Sequence, residues 1–259
     1  MTKTFKDELD SFKNLWEGGF YEGDPLDPLS KSGYGPLGYI STLYATYLRC
    51  IKPYVNRDSI SLELGPGRGA WTKALLPSRE VYVLDALPEE HNGFFKYLGY
   101  PNNAKYFQVT DFTCSMLPDS YFNYMFSYGC LCHVSFEGIR EYAVNIYPKL
   151  TRGSNCFWMV ADYDKYNNAI EHQNDLSVWR AVMPSSAKYF LAKMLFAYFM
   201  KRKRPRSVPV DENDEPRPGR WYHAGIERTS SMLMDVGYHV VDSDVGTCLR
   251  DPIIHFVKD

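Results

Sequence analysis

Ile60-Ser-Leu-Glu63-Leu-Gly65-Pro-Gly67-Arg-Gly69-Ala-Trp-Thr72 decides how this chain folds. A mostly apolar strand, 60–64, runs into three glycines at alternate positions, and a helix-compatible stretch follows. Glycine lacks a Cβ, so it accepts the positive φ of a tight turn and lets a ligand reach the bare backbone. A strand entering a helix through such a turn presents free N–H groups to ligand atoms. Further along, Glu80-Val-Tyr-Val-Leu-Asp85 reads as a second buried strand. It ends in an acid 22 positions beyond Glu63. That offset suits a carboxylate at the end of the second strand of a βαβ unit, where it accepts both hydroxyls of a ribose. The plainer role for Asp85 is a solvated strand end.

The alternation continues. Tyr106-Phe-Gln-Val-Thr-Asp111-Phe112 reads as a third strand ending in an acid and an aromatic, and Phe122 to Tyr128 as a fourth, leading into Gly129-Cys-Leu-Cys-His133. Strands over 60–64, 80–85, 105–109, 122–127 and 155–162, with helices over 70–76, 89–98 and 136–148, predict a parallel sheet covered on both faces. A helix over 226–236, closed by Gly237, precedes two short strands, 238–243 and 252–257. Upstream, helices are expected over 4–17 and 39–51, with a loop between them.

Glu63-x-Gly65-x-Gly67-x-Gly69, Asp85, Asp111-Phe112 and Tyr128, in this order and spacing, resemble the cofactor motifs of class I S-adenosylmethionine-dependent methyltransferases. The resemblance covers about residues 58–163 and 224–258. It implies the Rossmann-like α/β fold of that family, a seven-stranded sheet that is mostly parallel, with an antiparallel hairpin at its C-terminal edge. It also implies a cofactor set of Glu63, Gly65, Gly67, Gly69, Asp85, Ala86, Asp111, Phe112 and Tyr128. In it, Glu63 helps to hold the cationic methionyl end, Asp85 holds the ribose, and Asp111 and Phe112 attend the adenine. The organisation expected is an N-terminal cofactor-covering segment (1–57), the binding core (58–163), an inserted substrate cap (164–222) and a completing helix and hairpin (223–259). An oxidoreductase of the dinucleotide-binding type would place its third glycine at position 70, where Ala70 stands. A non-catalytic cofactor-binding subunit is the other rival.

Composition bounds the partners. The chain has 259 residues, enough for one large α/β domain with an insertion. Its 29 Lys and Arg nearly balance 31 Asp and Glu, so wholesale binding to a phosphate backbone is not indicated. The first residues lack the apolar core of a secretory signal, and no run of 18 apolar residues occurs, which predicts a cytoplasmic enzyme without integral membrane association. Cys130-x-Cys132-His133 has no second pair of ligands beside it, so no metal is expected. The basic run Lys201 to Arg206 suits a surface turn, a membrane contact or a phosphate contact, with acids at 211–215 close behind.

Methyl transfer from a sulfonium needs the nucleophile, methyl carbon and sulfur in line, so alignment supplies much of the rate. A hydroxyl acceptor needs a base as well. His133, just beyond the fourth strand, is the first candidate, because an ordinary histidine titrates near neutrality; its plainer role is packing at the turn. Asp162, after the fifth strand, is the second, with helix capping as its alternative. Tyr34, Tyr39, Tyr163, Tyr222 and His223 are candidates for acceptor binding, against simple packing or a helix-start contact. Ala86-Leu-Pro-Glu-Glu-His-Asn-Gly-Phe and Val160-Ala-Asp-Tyr-Asp-Lys-Tyr-Asn resemble methyltransferases of bacterial surface-polysaccharide pathways. That likeness implies O-methylation of a sugar, a nucleotide-linked sugar or a phosphoryl-type acceptor, with N-methylation of a small metabolite as the alternative. The oligomeric state is left open.

Overall fold

A computed structural model describes residues 5–6, 18, 22–30, 41–174, 221–248 and 251–259. Strand β1 (Ile60–Leu64) is buried along its whole length, Ser61 and Glu63 included. It pairs in parallel with β2 (Glu80–Asp85) on one side and β4 (Phe122–Ser127) on the other. β3 (Ala104–Gln108) adds in parallel to β2, and β5 (Leu150–Met159) to β4. β7 (Ile253–Lys258) lies antiparallel between β5 and β6 (Tyr238–Asp242), so the order is β3-β2-β1-β4-β5-β7-β6. Strands buried on both faces need apolar side chains at every position, which explains the continuous runs at β1, β2 and β4.

One core cluster joins Leu62, Leu64, Met125, Trp158 and Phe256 to helix α5 (Phe136–Ile146) and helix α7 (Ile226–Val236). The other joins Val81, Val83, Tyr124, Phe126 and Phe157 to helix α2 (Ala70–Leu75) and to the segment ending at Ile51. The chain starts at the middle of the sheet, builds outward to β3, then crosses back to β4. At that reversal the carboxyl ends of β1 and β4 diverge and leave a crevice, the usual ligand position in such sheets.

Several boundaries differ from the sequence expectations. The helix expected over 39–51 begins as α1 (Thr42–Thr46) behind a Ser41 cap and widens to a π turn, Tyr47–Ile51. The helix expected over 89–98 divides at Gly93, whose φ of 61° breaks it into α3 (Glu89–Asn92) and α4 (Phe94–Leu98). β3 closes at Gln108, before Asp111. β5 starts at Leu150 instead of 155. Helix α6 (Tyr163–Asn174) follows β5 directly. The expectations for the helix over 4–17, for Tyr34 and Tyr39, and for the cap beyond 174 with its basic run fall largely or wholly outside the described residues. Among the described residues no helix is long and apolar enough to cross a membrane.

Candidate functional site

The crevice begins with the loop between β1 and α2. Gly65 donates its N–H to the Leu84 carbonyl at 2.8 Å, which fastens the loop to the end of β2. Gly65 has φ 67° and Gly67 φ 52°, the left-handed region in which side chains are strained. A Cβ on Gly65 would stand 2.3 Å from Cys130 Cβ, so the turn that follows β4 packs directly on bare backbone. Both conditions exclude any other residue at position 65.

Asp85, the last residue of β2, faces this loop. Its Oδ2 accepts the Gly67 N–H at 3.2 Å and its Oδ1 accepts the Leu87 N–H at 2.9 Å. Burial lifts its pKa to about 6, against the pull of those two N–H groups and of Asn92. Asn92 Nδ2 donates to the Tyr106 hydroxyl, which donates to the Leu87 carbonyl, both at 2.7 Å, so the turn carrying Asp85 is braced from α3 and β3. A carboxylate oxygen can accept more than one hydrogen bond, and the half-buried Asp85 therefore keeps capacity for ligand hydroxyls.

Between loop and strand ends lies an open cavity with about 1100 Å³ of empty space, mouth included. Gly65, Gly67, Asp85, Ala86, Phe112, Tyr128 and His133 all line it. Phe112 is wedged edge-on against Phe5 and Tyr142, each 4.9 Å away between ring centres. Gly138 makes room for it, since a Cβ there would stand 2.7 Å from Phe112 Cζ. At the other end Trp71 packs on Tyr128, with ring centres 4.6 Å apart. His133 ends a short 3₁₀ turn, Leu131–His133, and its N–H bonds the Cys130 carbonyl at 2.9 Å. The N-terminal segment supplies Phe5, Glu22 and Gly23 to the wall. It is tied down by an Asp24–Lys73 ion pair of 2.6 Å, by Arg68 Nε on the Gly18 carbonyl at 2.8 Å, and by the Gly18 N–H on the His91 carbonyl at 3.0 Å.

The fold is similar to that of a protein of Listeria monocytogenes described as a candidate S-adenosylmethionine-dependent methyltransferase. The match has a TM-score of 0.54 at 12% identity and covers 83% of this chain and 97% of that one. This chain has the class I methyltransferase fold. An S-adenosylmethionine-dependent methyltransferase of Methanosarcina mazei also matches, at TM-score 0.49 and 13% identity over 80% of this chain and 95% of that one. So does PKMT2 of Rickettsia typhi, in complex with S-adenosylhomocysteine, at TM-score 0.48 and 13% identity over 82% of this chain and 52% of that one. No protein-family model and no curated protein matches the chain.

Within this methyltransferase fold, several residues expected at the site stand elsewhere. Glu63 is buried behind the loop, accepts the Thr72 hydroxyl at 2.5 Å and does not line the cavity. Burial raises its pKa to about 8. Gly69 caps α2 from outside the cavity wall. Asp111 is exposed and turns to Thr113, whose N–H and hydroxyl it accepts at 2.8 and 2.6 Å; those bonds pull its pKa down. Asp162 is buried, and both its oxygens cap helix starts: Oδ1 takes the Lys165 N–H and Oδ2 the Ile226 N–H, each at 2.8 Å. A carboxylate so engaged, away from the cavity wall, is a structural cap and not a base facing a methyl group. Tyr163 donates its hydroxyl to the Trp221 carbonyl and its N–H to His223 Nδ1, the latter at 3.1 Å. Tyr222 donates its N–H to the Cys132 carbonyl at 2.9 Å. None of Tyr163, Tyr222 and His223 lines the cavity; together they clamp the returning chain to the end of β5.

Phe5, Glu22, Trp71, Asn92, Cys130 and Tyr142 line it without having been singled out from sequence. Trp71 and Cys130 stand inside the glycine-loop and post-strand stretches quoted from the sequence, whereas Phe5, Glu22, Asn92 and Tyr142 lie outside them.

Proposed function

We propose that this chain is an S-adenosylmethionine-dependent methyltransferase acting on a small molecule. The observation that carries this reading is Asp85, a half-buried carboxylate pinned by the Gly67 and Leu87 N–H groups at the wall of a cavity floored by positive-φ glycines. Its remaining acceptor capacity suits the two ribose hydroxyls of the cofactor. Ala86, Leu87 and Phe112 offer an apolar slot for the adenine, and Gly65 and Gly67 leave backbone open beneath the methionyl part. The fold shared with the Listeria protein agrees with this reading.

The bound cofactor would supply a methyl group on a sulfonium. An acceptor oxygen would take that methyl group as the carbon–sulfur bond breaks, with its electron pair returning to sulfur. The acceptor proton must leave, and His133, on the cavity wall beyond β4, is the residue we assign to take it. Trp71 and Tyr128, packed on each other at the wall, would restrict water around the reacting centre. We assign O-methylation of a sugar, a nucleotide-linked sugar or a phosphoryl-type acceptor, on the strength of the sequence likeness to polysaccharide-pathway methyltransferases.

The test is transfer of a labelled methyl group to a panel of sugar nucleotides, phosphorylated sugars and small amines. Label on a sugar hydroxyl, with a His133→Ala variant at least about 100-fold slower in kcat and within about threefold in cofactor affinity, supports the assignment. Label confined to amines overturns the O-methylation step, and a His133→Ala variant of normal kcat overturns the assignment of His133 as the base.

A further inference from the structure

In the resemblance that this sequence carries, the acid before the glycine loop holds the cationic methionyl end of the cofactor. Here that acid, Glu63, is buried and committed to Thr72. A second acid is better placed. Glu22 belongs to the N-terminal segment, is half-buried and contributes to the cavity wall beside Gly23, Gly65, Gly67 and Trp71. Two residues later, Asp24 is bonded to Lys73 of α2 at 2.6 Å, which fixes the segment at the α2 end of the cavity. Asp85, on β2, lines the same cavity.

Two basic side chains that hold this segment are engaged. Lys73 is paired with Asp24, and Arg68 Nε is bonded to the Gly18 carbonyl. Among the described residues no hydrogen bond or ion pair engages the Glu22 carboxylate. A half-buried carboxylate without a counter-charge, at a cavity wall, is stabilised by a cationic ligand group. S-adenosylmethionine and its thioether product each carry a ribose and, beyond the sulfur, an α-ammonium group, so one ligand offers a partner to each of the two carboxylates on this wall. We infer that Glu22, and not Glu63, receives the α-ammonium group of the cofactor; this rests on the cofactor reading above.

The experiment measures affinities of S-adenosylhomocysteine and of 5′-methylthioadenosine, which keeps the adenosine and sulfur but has no amino-acid group, for the wild-type chain and for Glu22→Gln and Glu63→Gln. The expected result is a tenfold or greater loss of S-adenosylhomocysteine affinity in Glu22→Gln, unchanged 5′-methylthioadenosine affinity, and near-normal values for both ligands in Glu63→Gln. Equal losses for both ligands in Glu22→Gln overturn the inference, because Glu22 would then shape the cavity as a whole. Unchanged S-adenosylhomocysteine affinity in Glu22→Gln overturns it too, and a selective loss in Glu63→Gln returns the role to Glu63. If the folded wild-type chain binds neither ligand, the cofactor reading itself fails, which is a separate result.

Discussion

Asp85 and Asp162 look alike in the sequence. Each is an acid that ends an apolar run, Val-Tyr-Val-Leu-Asp85 and Trp-Met-Val-Ala-Asp162. The fold gives them opposite employment. Asp85 accepts two N–H groups from its own turn and the adjoining glycine loop, and stays half-exposed on the cavity wall. Asp162 is buried and spends both oxygens on two helix starts, one of them 64 residues further along the chain. A strand-end carboxylate is therefore a binding group only where the turns around it leave acceptor capacity facing open space. Where two helices start beside it, their unpaired N–H groups claim it.

Replacing Asp162 with Ala sets the upper end of the comparison. Two caps disappear from a buried position, so stability should fall by about 2–4 kcal/mol, a typical cap being worth ~1 kcal/mol and a stranded buried donor more. The thermal midpoint should drop by roughly 5–10 °C. Cofactor affinity, measured well below that midpoint, should stay within about threefold. A variant of normal midpoint that has lost affinity would erase the distinction between the two acids.

Asp85→Ala should behave the other way round. Affinity for S-adenosylmethionine should weaken by about 1.5–3 kcal/mol, the cost of losing a charge-assisted acceptor. The thermal midpoint should move less than in Asp162→Ala, because two N–H groups at a cavity wall can turn to water. Melting curves beside binding titrations of the two variants check the pair.

The smallest effect sharpens the comparison by pH. Burial puts the Asp85 pKa at about 6, above that of an ordinary carboxylate, and hydroxyl donors need the ionised form. Affinity should therefore be complete above about pH 7 and decline as pH falls through 6, reaching about tenfold weaker by pH 5 if only the ionised form binds. Binding titrations from pH 5 to 8 should show this slope in the wild type and a flat line in Asp85→Asn. A wild-type affinity independent of pH would remove Asp85 from the contact.

What could be read in advance follows from how local each signal is. β1, β2, β4 and α7 stand where their apolar runs and bounding glycines put them, because a central parallel strand needs continuous apolar sequence. The early start of β5 was hidden by Thr151, Arg152 and the φ 76° glycine at 153, which look like a loop and interrupt the pairing with β4 between Leu150 and Asn155. Asp111 carried a local warning: Thr113, two residues on, is suited to a turn that satisfies the carboxylate. For Asp162 the capping of the helix that follows was legible, with Lys165 three residues on, but its second donor comes from Ile226 and was not. Phe5 and Glu22 meet the cavity through tertiary contacts, the ring of Phe112 for the one and the neighbouring Asp24–Lys73 pair for the other, which no periodicity announces.

The central claim is that the Asp85 end of this cavity takes the adenosyl part of S-adenosylmethionine. Calorimetric titration of the wild-type chain with S-adenosylmethionine, S-adenosylhomocysteine and NAD tests it most directly. The account predicts that both sulfur ligands bind at one site, that Asp85→Ala weakens both, and that NAD gives no heat of binding. A folded chain that binds NAD in preference, or that binds neither sulfur ligand, contradicts it.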